Sequence, residues 1–358
     1  MPVPLPDLGY ASPADLAACR AMLRRGSKTF FAASLLLPSW VREPACSLYA
    51  FCRLADDAVD MGGGKLDALV MLRDRLARAY AGDPWDEPVD RAFADVVERF
   101  AIPRELPEAL LEGFAWDATG RRYPDLSALC AYAARVAGTV GAMMSLLMGA
   151  RDPTVVARAC DLGVAMQLSN IARDVGEDAR MGRVYLPLDW LAEAGIDPDA
   201  LLARPTWSTA LGEVVRRLLR AADALYARAD LGIARLPAGC RPGIYAARYL
   251  YAGIGHELER NGLDSITTRT VVPGRRKLAL IGRALAAAPA RRRWRAHPPL
   301  PETAFLVAAV ARSPRPADSR LAGERSAWWD LDDQAGWVLD LFLRLDRRRA
   351  TGEGPAGS

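Results

Sequence analysis

Two short stretches of this chain carry carboxylates at spacings that a helix would gather onto one face. In AMQLSNIARDVGED (165–178), Gln167, Asn170, Asp174 and Asp178 fall at i, i+3, i+7 and i+11, so a helix presents two amides and two carboxylates together. Val164, Leu168, Ile171 and Val175 form a separate apolar stripe that pins the same helix to a core. Amides are scarce here: Gln occurs only at 167 and 334, Asn only at 170 and 261. A matching face lies in SLYAFCRLADDAVD (47–60), where Tyr49, Arg53, Asp56 and Asp60 sit at i, i+4, i+7 and i+11 beside Leu48, Cys52, Ala55 and Val59. Carboxylates one turn apart repel by about 0.2–0.5 kcal/mol and raise one another's pKa. A bound cation removes that conflict. Hard divalent ions take carboxylate oxygens, keep several waters and are commonly completed by substrate phosphates. Two sparse acidic faces are therefore a candidate metal–diphosphate site, the alternative being two amphipathic helices with solvated acidic faces.

The elements that must carry these faces read as helices throughout, with strand patterns essentially absent. Ser12-Pro13 followed by Asp15 predicts an N-cap opening a helix through about Arg25. GSKTFFAASLLLP (26–38) then places Lys28 beside Ser27, Thr29, Phe30 and Phe31, which suits a phosphate contact next to aromatic walls or a solvated lysine at a helix junction. The first acidic helix runs from about Glu43 to Met61 and stops at Gly62-Gly63-Gly64. Periodic helices follow at about 66–81, 88–100, 106–119 and 126–149. Within the last, YAARVAGTVGAMMSLLMGA (132–150) is apolar nearly all round, as a central helix is, and Gly138 and Gly141 leave room for another backbone or a ligand chain. The second acidic helix spans roughly 153–178. A loop over 179–197 follows, from which Arg180, Arg183 and Tyr185 could reach an anion. Helical patterns resume at 198–203, 207–234 and 240–260, and TRTVVPGRRKLAL (268–280) leads into a helix ending near Ala288.

After 288 the character changes. RRRWRAHPPLP (291–301) and SPRPADS (313–319) read as linkers around one short helix, and 326–349 as a Trp-rich amphipathic helix before GEGPAGS. Residues 1–288 are thus expected to form the catalytic domain and 289–358 an Arg/Pro-rich linker and tail. Docking on the main domain is the default for the tail helix, with contact to a membrane surface or a partner the lesser alternative.

Composition narrows the function classes. The 358 residues are 51% hydrophobic, ample for a core. Net charge is +4, and of the 47 basic residues only Lys28, Lys65 and Lys277 are lysine. Arginine abundance is therefore a chain-wide bias. With no aromatic-interleaved basic face or zinc-type spacing, nucleic acid is not an expected partner. Six cysteines lacking a CxxC pairing read as reduced core residues of a cytoplasmic protein. Two histidines, His256 and His297, give weak support to a His-based metal site or a Ser-His-Asp triad. MPVPLPDLGY lacks a signal-peptide pattern, and the longest uncharged run, 136–150, is 15 residues and interrupted, short of the roughly 20 a membrane span needs.

Five separated motifs together carry a resemblance: GSKTF (26–30), LYAFCRLADDAVD (48–60), YAARVAGTVGAMM (132–144), QLSNIARDVGEDARMGRVYLP (167–187) and AARYLYAGIGHELERNGLDS (246–265). In this order, over about residues 14–285, they resemble the phytoene branch of the squalene/phytoene synthase family. That resemblance implies an all-α fold, an isoprenoid-synthase type helical bundle around a central cavity, with two DxxxD motifs at Asp56/Asp60 and Asp174/Asp178. It implies Mg²⁺ or Mn²⁺ held by these aspartates and Asn170, without NADPH. The partners it implies are two molecules of geranylgeranyl diphosphate. Tyr49 and Arg53 join the aspartates as catalytic positions, and Ser27, Lys28, Phe30, Gln167, Asn170, Arg173, Arg183, Tyr185 and Tyr251 as substrate-binding ones. The implied reaction joins two C20 chains through prephytoene diphosphate to phytoene, an early step of carotenoid biosynthesis. Rival readings are a dehydrosqualene or squalene-type synthase using farnesyl diphosphate, and a non-catalytic helical assembly protein. DDAVD also satisfies the pattern of chain-elongating prenyl transferases, and Asn170-Asp174-Asp178 superficially that of terpene cyclases. Neither class shares the surrounding motifs.

Overall fold

The computed structural model describes residues 9–61, 64–290 and 297–314, and for Val59, Asp60, Met61 and Lys65 it describes the backbone alone. The fold is all-α, with no strand among the described residues. Its helices are α1 (Pro13–Gly26), α2 (Lys28–Ser34), α3 (Ser39–Met61), α4 (Lys65–Ala81), α5 (Pro88–Arg99), α6 (Glu105–Ala118), α7 (Leu126–Ala133) and α8 (Thr139–Leu147). These are followed by α9 (Pro153–Arg180), α10 (Leu188–Glu193), α11 (Pro198–Ala203), α12 (Thr209–Ile233), α13 (Arg241–Arg260), α14 (Gly274–Ala287) and α15 (Ala304–Arg312).

Capping fixes the first helix as its sequence predicts. The Ser12 hydroxyl accepts from Asp15 N at 3.2 Å while the Asp15 carboxylate accepts from Ser12 N at 2.8 Å, a reciprocal box with Pro13 at the first position. Arg91 of α5 donates to the same carboxylate at 2.7 and 3.0 Å and, outweighing burial, holds its pKa down at about 2. A lowered carboxylate pKa stabilises the fold fully above the unfolded value near 4 and loses that contribution as pH falls toward about 2. Asp15→Asn should therefore cost about 1–2 kcal/mol at pH 7. The gap from wild type should close between about pH 4 and pH 2, as denaturant titrations across that range would measure.

The centre of the bundle is α9, which packs against α12, α13, α15, α8 and the turn between α7 and α8. The sequence predicts one continuous helix over 126–149. The structure instead places a π-helical turn at Ala134–Gly138, where Thr139 N reaches back to Ala134 O, one residue further than an α-turn. Here α8 and α9 meet backbone to backbone. A Cβ on Gly141 would lie 2.1 Å from Ala159 O, and one on Gly163 only 2.2 Å from Ala137 O. The close approach expected at Gly141 is present. Gly138 instead faces Leu306 and Val164 at ordinary distances of 3.5 and 3.6 Å.

Three further differences have simple causes. Leu126–Leu147 is 22 residues long and apolar enough by composition to cross a membrane, because the helical run extends through Arg135 rather than starting after it. Burial accounts for that apolarity: 67% of its most apolar window lies inside the fold. The expected loop over 179–197 contains the short helix α10, whose Trp190 and Leu191 are buried. Beyond the expected boundary at 288, residues 297–314 return to the bundle and bury Leu306, Val307, Ala309 and Val310 of α15. The Trp-rich stretch 326–349 lies outside the described residues.

Candidate active site

A cavity of about 700 Å³ opens between α2, α3, α9 and α13. One face of α9 runs its whole length: Val155, Ala159, Leu162 and Met166 line the inner part, then Gln167, Asn170, Asp174 and Asp178 line the mouth. The spacing is helical throughout. From α3 come Tyr49, Arg53 and Asp56, and from α2 and the residue before it Lys28, Phe30 and Ser27. Arg173, Arg183, Tyr185 and Tyr251 complete the set expected from the sequence. Only Asp60 falls outside this comparison, because its side chain is not among those described.

Local chemistry explains how these groups are held. Ser27 caps α2 by accepting from Phe30 N at 3.1 Å and is hydrogen-bonded to Tyr251. The Phe30 and Tyr49 rings stack at 5.8 Å. Gly26 makes room for the Tyr49 hydroxyl, which would lie 2.3 Å from a Cβ at that position. On α3, Arg53 pairs with Asp57 at 2.6 Å and reaches Asp56 at 3.4 Å. On α9, Arg173 donates to both oxygens of Asp174 at 2.7 and 2.5 Å, and Arg269 donates to the same carboxylate at 2.9 and 3.3 Å. Burial alone would raise the Asp174 pKa, but the two arginines overcome it and hold the group below its usual range.

Asp178 behaves oppositely. Burial, then the neighbouring Asp174 charge, push its pKa up to about 8, against the opposing pull of Arg183. Glu177 and Asp117 act in the same direction as Asp174. Donors here are carboxylates and the Asn170 amide, and no histidine lines the cavity. Such a hard oxygen set fits Mg²⁺ or Mn²⁺. Among the described residues no three His, Cys, Asp or Glu side chains converge on one point, so a cation held here would take the rest of its shell from water and phosphate.

Several lining residues escape the sequence reading. Asp117 of α6 accepts from Tyr185 at 2.7 Å and from Tyr132 at 2.8 Å, fixing both phenols at the cavity wall. Nothing in the sequence of α6, which also carries Glu105, Glu108 and Glu112, singles it out. Arg269 arrives on a loop that presses onto α9 at Gly176, whose N donates to Ser265 O at 3.0 Å and where a Cβ would lie 2.7 Å from Ile266 Cα. A glycine inside DVGED was the available signal for that approach. Arg180, by contrast, donates to Ile266 O at 2.6 Å and is not part of the lining.

The all-α bundle around this cavity is the fold of isoprenoid synthases. It superposes on a dehydrosqualene synthase solved with a ligand at a TM-score of 0.69 and 28% identity, over 76% of this chain and 96% of that one. A squalene synthase from Alicyclobacillus acidocaldarius gives 0.64 and 25%, over 71% and 98%. The chain belongs to the squalene/phytoene synthase family, whose model matches residues 23–277. Among its relatives is a phytoene synthase of Cereibacter sphaeroides, 54% identical over 86% of this chain and 90% of that protein. Another is a 15-cis-phytoene synthase of a Paracoccus species, 41% identical over 73% and 87%.

Proposed function

We propose that this protein is a phytoene synthase that condenses two molecules of geranylgeranyl diphosphate head to head, through prephytoene diphosphate, to phytoene. The observation that carries the reading is the two-part face of α9. Its polar end suits a diphosphate. From Asn170 inward to Arg158 the same face continues for roughly 18 Å at 1.5 Å per residue. An extended C20 chain, at about 1.2 Å per bond, is roughly 18 Å long, whereas a C15 chain is roughly 13 Å and leaves the inner end unfilled. The phytoene synthase names of relatives up to 54% identical support the same substrate.

Asp56, Asp174, Asp178 and Asn170, with Asp60 by the motif, would hold Mg²⁺ or Mn²⁺. Such ions supply charge neutralisation for a departing diphosphate. Lys28, Arg53, Arg173 and Arg269 add fixed positive charge at the mouth and orient the phosphates. In the first half-reaction a C1–O bond breaks, diphosphate leaves, and the 2,3-double bond of the second substrate attacks the allylic cation. Loss of a proton closes the cyclopropane. In the second half the remaining diphosphate leaves, the cation rearranges and a further proton is lost. No electrons are gained, so no NADPH is called for. The stacked Phe30 and Tyr49 faces shelter positive charge, and the inner apolar walls exclude the water that would trap it as an alcohol. A C40 hydrocarbon leaves water readily, and the reading includes a cytoplasmic enzyme with peripheral contact to the membrane face.

Chelator-washed protein given geranylgeranyl diphosphate should release no diphosphate. Millimolar Mg²⁺ or Mn²⁺ should restore release without NADPH. Full release in the presence of excess chelator would contradict the assignment.

A further inference from the structure

Near the inner end of the cavity, one turn short of Val155, lies a buried charge cluster that the chemistry above does not use. Arg158 of α9 is 1% exposed, yet it lines the cavity next to Val155, Met148 and Leu236. Its guanidinium donates to His297 O and Pro298 O, both at 3.0 Å, and its Nε lies 2.7 Å from Asp161 Oδ2. Arg228 of α12 reaches the same Asp161 oxygen and Pro298 O, both at 2.8 Å. With these atoms engaged, what Arg158 offers the cavity is its stem. Gly232 of α12 closes over that stem so tightly that a Cβ there would lie 2.3 Å from Arg158 Cβ.

The carbonyls that hold Arg158 belong to the segment leading into α15, beyond the residues matched by the family model. That segment is latched elsewhere too: Ser127 donates to Glu302 at 2.6 Å and Arg151 to Ser313 at 2.8 Å. Leu306 backs the π-turn at Gly138. A prenyl chain one isoprene longer than the cavity accepts would have to displace a guanidinium from two carbonyls and a carboxylate. Apolar chain cannot replace those partners, and a buried charge stripped of them is costly.

We propose that Arg158, held by Asp161, Arg228 and the 297–298 carbonyls, is the specificity-determining stop that sets the longest prenyl chain this enzyme accepts. The proposal rests on the prenyl diphosphate reading above. Full-length protein is assayed with farnesyl (C15), geranylgeranyl (C20) and geranylfarnesyl (C25) diphosphates, and kcat/KM is measured for each by mass analysis of hydrocarbon products. Arg158→Ala removes the stem while leaving Asp161 paired with Arg228. The C25-to-C20 ratio of kcat/KM should rise about tenfold or more, with the C15-to-C20 ratio unchanged within about threefold. Arg228→Ala alters no lining residue but loosens the latch, so the C25-to-C20 ratio should move the same way by a smaller factor. An equal fall for all three substrates, or unchanged ratios in both variants, would reduce the cluster to a structural role and overturn the proposal. If Arg158→Ala fails to fold, the Arg228→Ala ratio alone decides. Wild-type protein that makes no C40 product from the C20 substrate would instead overturn the underlying functional reading, and the stop with it.

Discussion

Asp174→Asn should give a protein with unchanged helical circular dichroism and turnover of geranylgeranyl diphosphate lowered by about 10³-fold or more. Asp174 lies where the requirements of the site converge. Its carboxylate faces Arg173 and Arg269, follows Asn170 by one turn and precedes the half-buried Asp178 by one turn. Neutralising it removes an oxygen charge from the cation site and leaves two arginines without their carboxylate. The fold survives because this cluster sits at the cavity mouth, whereas α9 is anchored through its apolar face and through Ser169, hydrogen-bonded to Tyr226 at 3.0 Å. Asp56→Asn should act in the same direction from the facing helix. Retained turnover in both variants would remove the basis for a metal–diphosphate site.

Gly163→Ala should destabilise the whole bundle by about 3 kcal/mol or more. The added methyl would sit 2.2 Å from Ala137 O, and what it meets is backbone, which cannot rotate away as a side chain does. Relief requires α9 to separate from the π-turn, opening the wall that lines the cavity. Gly138→Ala is the matched control: its nearest neighbours are side-chain atoms at 3.5 Å or more, and its cost should stay within about 1 kcal/mol. Thermal unfolding should lower Tm by about 5 °C or more for the first variant and little for the second. Equal Tm values for the two would mean that α9 and the π-turn do not meet at Gly163 as described.

Much of the site was legible because it lies on two long helices whose period converts sequence spacing directly into a shared face. Gln167, Asn170, Asp174 and Asp178 needed nothing beyond that period, and neither did Tyr49, Arg53 and Asp56. What stayed hidden depends on tertiary approach. Arg269 is 95 residues from Asp174, and its arrival is decided by a loop crossing Gly176. Asp117 draws its importance from two phenols on other elements. The π-turn at 134–138 leaves the apolar pattern of 132–150 almost intact, so periodicity alone reads straight through it. The boundary at 288 reflected a change of composition, whereas packing of 297–314 is set by Arg158 and Arg228, residues that read as ordinary members of helical patterns.

The most direct measurement is an incubation of purified protein with geranylgeranyl diphosphate and, separately, farnesyl diphosphate, with Mg²⁺ or Mn²⁺ and no NADPH, followed by mass analysis of the hydrocarbon extract. The account predicts a C40 hydrocarbon from the C20 substrate. A C30 product from farnesyl diphosphate alone would move the protein to the dehydrosqualene branch of its family and contradict the C20 assignment. No hydrocarbon from either substrate, with folded protein and lipid present, would contradict the enzymatic reading itself.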